Sequence, residues 1–166
     1  MLNKLKKFMV VTAAAVMLST GFATVAPKEA HAAHWADDVM EWAMVRSYIL
    51  VDMRDSLATR QDMWLILTRA KNRSAGYNYE SARDFVKNSR ISDGTRGTNW
   101  VTRDEAATMA LQAMGYYNIY HPSFNFTRTF GIKHYIYDGT RGDEFATRAE
   151  VVSMIYFAAH SKGFYY

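Results

Sequence analysis

Apolar residues recur at helical spacing three times along this chain, each time directly after a Thr-Arg pair. After Thr59-Arg60, the residues Met63, Ile66, Leu67 and Ala70 fall at i, i+3, i+4 and i+7, the stripe of an amphipathic helix. After Thr102-Arg103 come Ala106, Met109, Ala110, Ala113 and Met114, with Gly115 placed to stop the helix in the left-handed conformation. After Thr147-Arg148 come Val151, Met154, Ile155 and Ala158, with Gly163 as the expected stop. Counted from the Thr-Arg pairs, Met63, Ala106 and Val151 are equivalent, and so are Ile66, Met109 and Met154. A second, weaker set of stripes precedes these. Trp35, Val39 and Trp42, with Met40, Ala43 and Met44 beside them, predict a helix over Ala36 to Tyr48. Ala82, Phe85 and Val86 predict another, and Phe126 and Phe130 a third, with Ser123 as its N-cap. Tyr135-Ile136-Tyr137 has strand-forming residues but is too short to found a sheet.

The loops between the paired helices repeat as well. Asp93-Gly94-Thr95-Arg96-Gly97 returns 45 residues later as Asp138-Gly139-Thr140-Arg141-Gly142. A worn copy from Asp52 to Asp62 has a loop two residues shorter. The expected fold class is therefore all-α: three helix-loop-helix units, at about residues 34–73, 77–115 and 120–160, around one shared core. A single helical pair cannot bury its own apolar face, so the units should form one domain. Leu57, Trp100 and Phe145 hold equivalent loop positions and are expected to plug into that core.

Thr102-Arg103-Asp104-Glu105 and Thr147-Arg148-Ala149-Glu150 spell capping boxes, and Thr59-Arg60-Gln61-Asp62 is a shorter-armed version. The boxes account for the Thr and the acid. They leave the Arg unexplained, since a cation in the first turn meets the positive end of the helix dipole. Two roles fit Arg60, Arg103 and Arg148: an ion pair to a loop acid (Asp52, Asp93 or Asp138), or an anion site combining a guanidinium fork with free helix N–H groups.

Composition adjusts this picture at the N-terminus. Lys4, Lys6 and Lys7 precede an apolar run, and Ala30-His31-Ala32 offers a small-x-small cleavage pattern, with Thr24-Val25-Ala26 as a second site. Residues 1–32 are expected to be a signal peptide, leaving 33–166 as the exported domain. That domain carries 16 basic and 15 acidic residues, so no concentrated basic face marks a nucleic-acid binder, and no membrane span remains after cleavage. The absence of Cys excludes thiolate zinc sites and thiol nucleophiles. His34, His121, His134 and His160 lack metal-ligand spacing, and no Gly-x-Ser-x-Gly motif occurs. Asp37, Asp38 and Glu41 could pair for glycan hydrolysis, but a helix N-terminus attracts acids in any case. Arg141-Gly142-Asp143 matches an adhesion tripeptide only by falling inside a repeated loop. No cofactor, metal or catalytic residue is expected.

Thr-Arg-Ala-Glu at a helix head, the Gly-containing loop before it, and His34-Trp35-Ala36 opening the first helix resemble S-layer homology repeats. The loop resembles the Asp-Gly-Thr-Arg variant carried by secreted cell-wall proteins and phage-type lysins of Gram-positive bacteria. The resemblance implies three helical pairs in a pseudo-threefold arrangement, secretion, and attachment to an anionic, often pyruvylated, wall polysaccharide. Carried over by position, it implies ligand roles for Arg60, Arg103, Arg148, Trp35, Asp93, Gly94, Asp138 and Gly139, while the first loop has Met53 in place of the glycine. The other expected partner is an exported protein, such as a wall hydrolase, held by exposed Tyr and Trp side chains.

Overall fold

The computed structural model describes residues 33–116 and 124–161. These form six helices: α1 (Asp37–Val45), α2 (Arg60–Asn72), α3 (Tyr79–Asn88), α4 (Arg103–Ala113), α5 (Asn125–Lys133) and α6 (Arg148–His160). The fold is all-α, and among the described residues the only extended pairing is three isolated bridges. The predicted signal peptide, Ser123 and Gly163 lie outside the described residues. No described helix is long and apolar enough to cross a membrane.

Thr59, Thr102 and Thr147 each accept from the backbone N–H three residues on, and Asp62, Glu105 and Glu150 reach back to the Thr N–H groups. All three predicted capping boxes therefore exist. Asn78 and Ser81 make a fourth at α3, which the spacing of apolar residues did not announce.

Helices α1, α3 and α5 share an unexpected ending. Ser47, Arg90 and Tyr135 lie in the left-handed region, with φ of 56°, 56° and 57°. The next residue in each case sends its N–H back to a carbonyl five residues earlier: Tyr48 to Ala43 (2.9 Å), Ile91 to Val86 (2.8 Å) and Ile136 to Gly131 (2.8 Å). This six-to-one bond is the Schellman closure, and the residue that makes it is buried against the core. It stops α1 at Val45 rather than Tyr48, and it turns Tyr135-Ile136-Tyr137 into a helix cap rather than an extended segment. A non-glycine residue in this conformation costs about 1–2 kcal/mol. Tyr135 is 81% exposed, so Tyr135→Gly should relieve that strain and lose no packing. After the extra chain entropy of glycine, a gain of about 0.5–1 kcal/mol is expected, read as a higher urea midpoint. A lower midpoint would mean that the Tyr135 ring makes a stabilising contact.

The second helices α2, α4 and α6 pack on one another, and each first helix packs on the second helix of another unit: α3 on α2, α5 on α4, and α1 on α6. Where the three loops meet, a backbone ring closes the body. Ala58 N–H donates to Ala146 O (3.0 Å), Val101 N–H to Ala58 O (3.0 Å), and Ala146 N–H to Val101 O (2.9 Å). Ala58, Val101 and Ala146 are fully buried. Because extended backbone alternates its faces, the preceding residues point outward. Leu57, Trp100 and Phe145 are 39%, 46% and 50% exposed, so they do not plug into the core as expected.

Candidate functional site

All three helix-start arginines are ion-paired within the fold, two of them closely and Arg148 at 3.7 Å. Arg60 is 5% exposed; its Nη1 lies 2.7 Å from Glu105 Oε1, its Nη2 3.2 Å from Asp93 Oδ1, and its Nε donates to Thr95 O (3.1 Å). Arg103 is 4% exposed and repeats the pattern one unit on, pairing with Glu150 and Asp138 (2.9 Å) and donating to Thr140 O (3.2 Å). Each thus ties its own helix to the loop and capping acid of the next unit. The loop acids answer in kind. Burial pushes the Asp93 and Asp138 carboxyls up, but the Thr95 or Thr140 donors and the facing Arg outweigh it, and both end below the usual carboxylate range. Gly94 and Gly139 are required by this loop, with φ of 72° and 75°, and a Cβ at either would run into the Lys87 or Ile132 side chain.

Arg148 breaks the series. Its backbone N–H finds Ser56 O (2.8 Å), and the next N–H finds Arg54 O (3.0 Å), so the helix start docks on the first loop as its counterparts dock on theirs. That loop is two residues shorter and has no Gly-Thr segment to offer a carbonyl to the guanidinium. The Arg148 Nε is buried without a hydrogen-bond partner, and its Nη2 reaches only Asp62 Oδ1, at 3.7 Å. The loop acid expected to hold it, Asp52, pairs instead with Arg54, which also binds Asp37. The three arginines are equivalent in position and unequal in environment.

The structure gathers three of the predicted site residues into one cleft. Trp35, Arg103 and Asp138 line a hollow of about 280 Å³ together with Arg141, Glu150 and Ser153. Packing of α1 on α6 carries Trp35 there, and it is 63% exposed. Arg103 and Asp138 sit on its wall already joined to each other. Arg60, Asp93 and Gly94 belong to the junction of the first two units and Arg148 to that of the third and first; neither group lines this cleft.

Arg141 is the residue that the sequence reading missed. Its side chain is 52% exposed, its backbone is left-handed (φ 51°), and its guanidinium meets Glu150 (3.0 Å) and Glu144 (3.2 Å). Its counterpart Arg96 has φ 55°, 57% side-chain exposure and a 3.1 Å pair to Glu105. The signal lay in the repeat itself, where the Arg of Asp-Gly-Thr-Arg recurs in the second and third loops, with Met53 at the equivalent turn of the first. Chemically, the cleft offers an exposed indole face, one accessible guanidinium, a buried second one and two carboxylates. Such a set has the chemistry of ligand recognition. No cluster of three acids or histidines among the described residues could hold a metal.

No family model matches the chain, and neither the curated proteins nor the solved structures contain a match.

Proposed function

We propose that the chain is a secreted, non-catalytic cell-envelope protein that binds an anionic wall polysaccharide, an S-layer-homology-like module with its three units in a pseudo-threefold arrangement. One observation carries the reading: an exposed Trp35 and a half-exposed Arg141 line one cleft together with Arg103 and Asp138. A sugar ring stacks on the indole, and an acidic substituent meets the Arg141 fork, displacing part of its contact with Glu150 and Glu144. The buried Arg103 serves as the frame of the site, and Arg141 makes the ligand contact.

The test is retention on purified Gram-positive cell walls, before and after mild acid removal of ketal substituents. Trp35→Ala and Arg141→Ala are expected to lower retention at least about tenfold with helicity unchanged, and acid treatment should abolish the difference. Wild-type retention by both variants would overturn the proposal. One observation favours a protein partner instead: Val45, Leu50, Val51 and Met53 are 73%, 75%, 59% and 46% exposed around the first loop. On that reading Leu50→Asp with Val51→Asp abolishes capture of an exported partner, and the cleft variants do not.

A further inference from the structure

The backbone ring of Ala58, Val101 and Ala146 presents an apolar side chain outward from each unit, at Leu57, Trp100 and Phe145. A single exposed apolar residue on a protein surface is ordinary. The same position filled three times by Leu, Trp and Phe, each at least 39% exposed, is not what solvent-facing loops select. Trp100 and Phe145 come from different loops yet line one hollow of about 290 Å³. The backbone bridge of Thr102 to Phe145 joins these two loops directly.

The polar lining tells what the hollow takes. Arg96 and Glu105 neutralise each other at 3.1 Å, so the hollow carries no net charge. Thr98 and Asn99 are exposed, and their side chains have no hydrogen-bond partner among the described residues. Two aromatic faces beside an unengaged amide and hydroxyl suit a molecule with an apolar C–H face and a rim of hydroxyls. An uncharged ring leaves the Arg96–Glu105 pair in place and has the Thr98 and Asn99 groups at its rim. The volume, at the small end of ligand clefts, holds one ring rather than an oligosaccharide.

We propose that the Trp100–Phe145 hollow is a second sugar subsite, taking an uncharged pyranose ring of the same polymer whose acidic residue occupies the Trp35–Arg141 cleft. It rests on the glycan-binding reading and shares no lining residue with that cleft. Stacking there is insensitive to salt, whereas the Arg141 contact is screened.

The experiment uses the full chain and purified Gram-positive cell walls as the probe, at about 0.1 M and about 1 M NaCl, salts that screen little and strongly. Trp100→Ala and Phe145→Ala should weaken retention about fivefold at both salts, and Trp100→Phe should restore most of it. Arg141→Ala should weaken retention at low salt alone. Both side chains are half-exposed, so circular dichroism of the variants should match the wild type. If Trp100→Ala and Phe145→Ala bind like wild type while Trp35→Ala and Arg141→Ala do not, the subsite is refuted and the proposed function stands. If the hollow variants bind less but Trp100→Phe is as weak as Trp100→Ala, or soluble wall polysaccharide fails to compete, the hollow does not take a sugar ring. If the wild type itself is not retained, the glycan reading falls and the subsite with it.

Discussion

Replacing Asp104 by Ala is expected to remove about 1–3 kcal/mol of stability, the range for leaving a buried polar partner unsatisfied. Asp104 is fully buried, and its carboxylate takes two hydrogen bonds from Arg128 (2.6 and 3.1 Å to Oδ2) and one from the Tyr137 hydroxyl. Its backbone N–H holds Gly142 O (3.0 Å), and its carbonyl accepts from Thr108 (2.7 Å). One side chain thus fastens α4 to α5 and to the third loop. Burial, reinforced by the neighbouring carboxylate, pushes the Tyr137 hydroxyl well above its usual range, so it stays a donor at every physiological pH. Removing the carboxylate strands the buried Tyr137 hydroxyl, while the Arg128 guanidinium, 35% exposed, keeps water and Asp143 (3.8 Å). Against a total stability of about 5–15 kcal/mol, that loss is a substantial fraction. Urea titration should show it, with Asp104→Asn in between because an amide keeps one acceptor. Gly142→Ala should act in the same direction, since its Cβ would collide with this pinned carboxylate. A loss under about 1 kcal/mol for Asp104→Ala would mean that the Tyr137 hydroxyl finds water as readily as it found Asp104.

That network was hidden in the sequence for a definable reason. The position after each helix-head Arg is Gln61, Asp104 and Ala149, three residues with nothing in common. Repeat logic reads what recurs, and Asp104 is a single-unit device serving one junction. What recurs is what the pattern made legible: the six helices, the Thr caps, the stripe from Met63 to Ala70 and its two copies, and the need for glycine at 94 and 139. The left-handed ends at Ser47, Arg90 and Tyr135 recur in geometry and share no residue type, so only the buried residue after each (Tyr48, Ile91, Ile136) could have hinted at them. The outward turn of Leu57, Trp100 and Phe145 failed for another reason. Aromatic character predicts burial on average, and the backbone ring that reverses the preference here forms only in the folded assembly.

The candidate site was half legible. Trp35, Arg103 and Asp138 were named from the motif and do meet, yet what each does follows from burial that no motif records. An Arg at 4% exposure with an acid on each terminal nitrogen has been desolvated in order to hold the fold together. An Arg one loop away, at 52% side-chain exposure, has not. Length also mattered. Two residues missing from the first loop leave Arg148 without the carbonyl that its two counterparts use.

The same inequality sets the second large effect. Arg103→Ala should cost about 2–3 kcal/mol, and Arg60→Ala a similar amount, because each removes a buried guanidinium with all the hydrogen bonds it gives, although Arg141 still faces Glu150 and Arg96 still faces Glu105. Arg148→Ala should cost about 1 kcal/mol or less: its contact to Asp62 is long, and its Nε is unsatisfied already. Asp62, moreover, keeps the Tyr79 hydroxyl (2.9 Å) and the Thr59 N–H (2.9 Å) when Arg148 is gone. Chemical denaturation of the three single variants decides the matter, and equal losses would mean that the three junctions contribute alike despite their geometry. The ranking also governs how binding is tested. A wall-binding defect in Arg60→Ala or Arg103→Ala would be a folding defect first, whereas Arg141 and Trp35 are exposed side chains whose removal leaves every junction intact. The proposed ligand contact and the structural support, which the repeated Thr-Arg motif joins in one letter, can be tested apart by choosing the arginine in the loop over the arginine at the helix head.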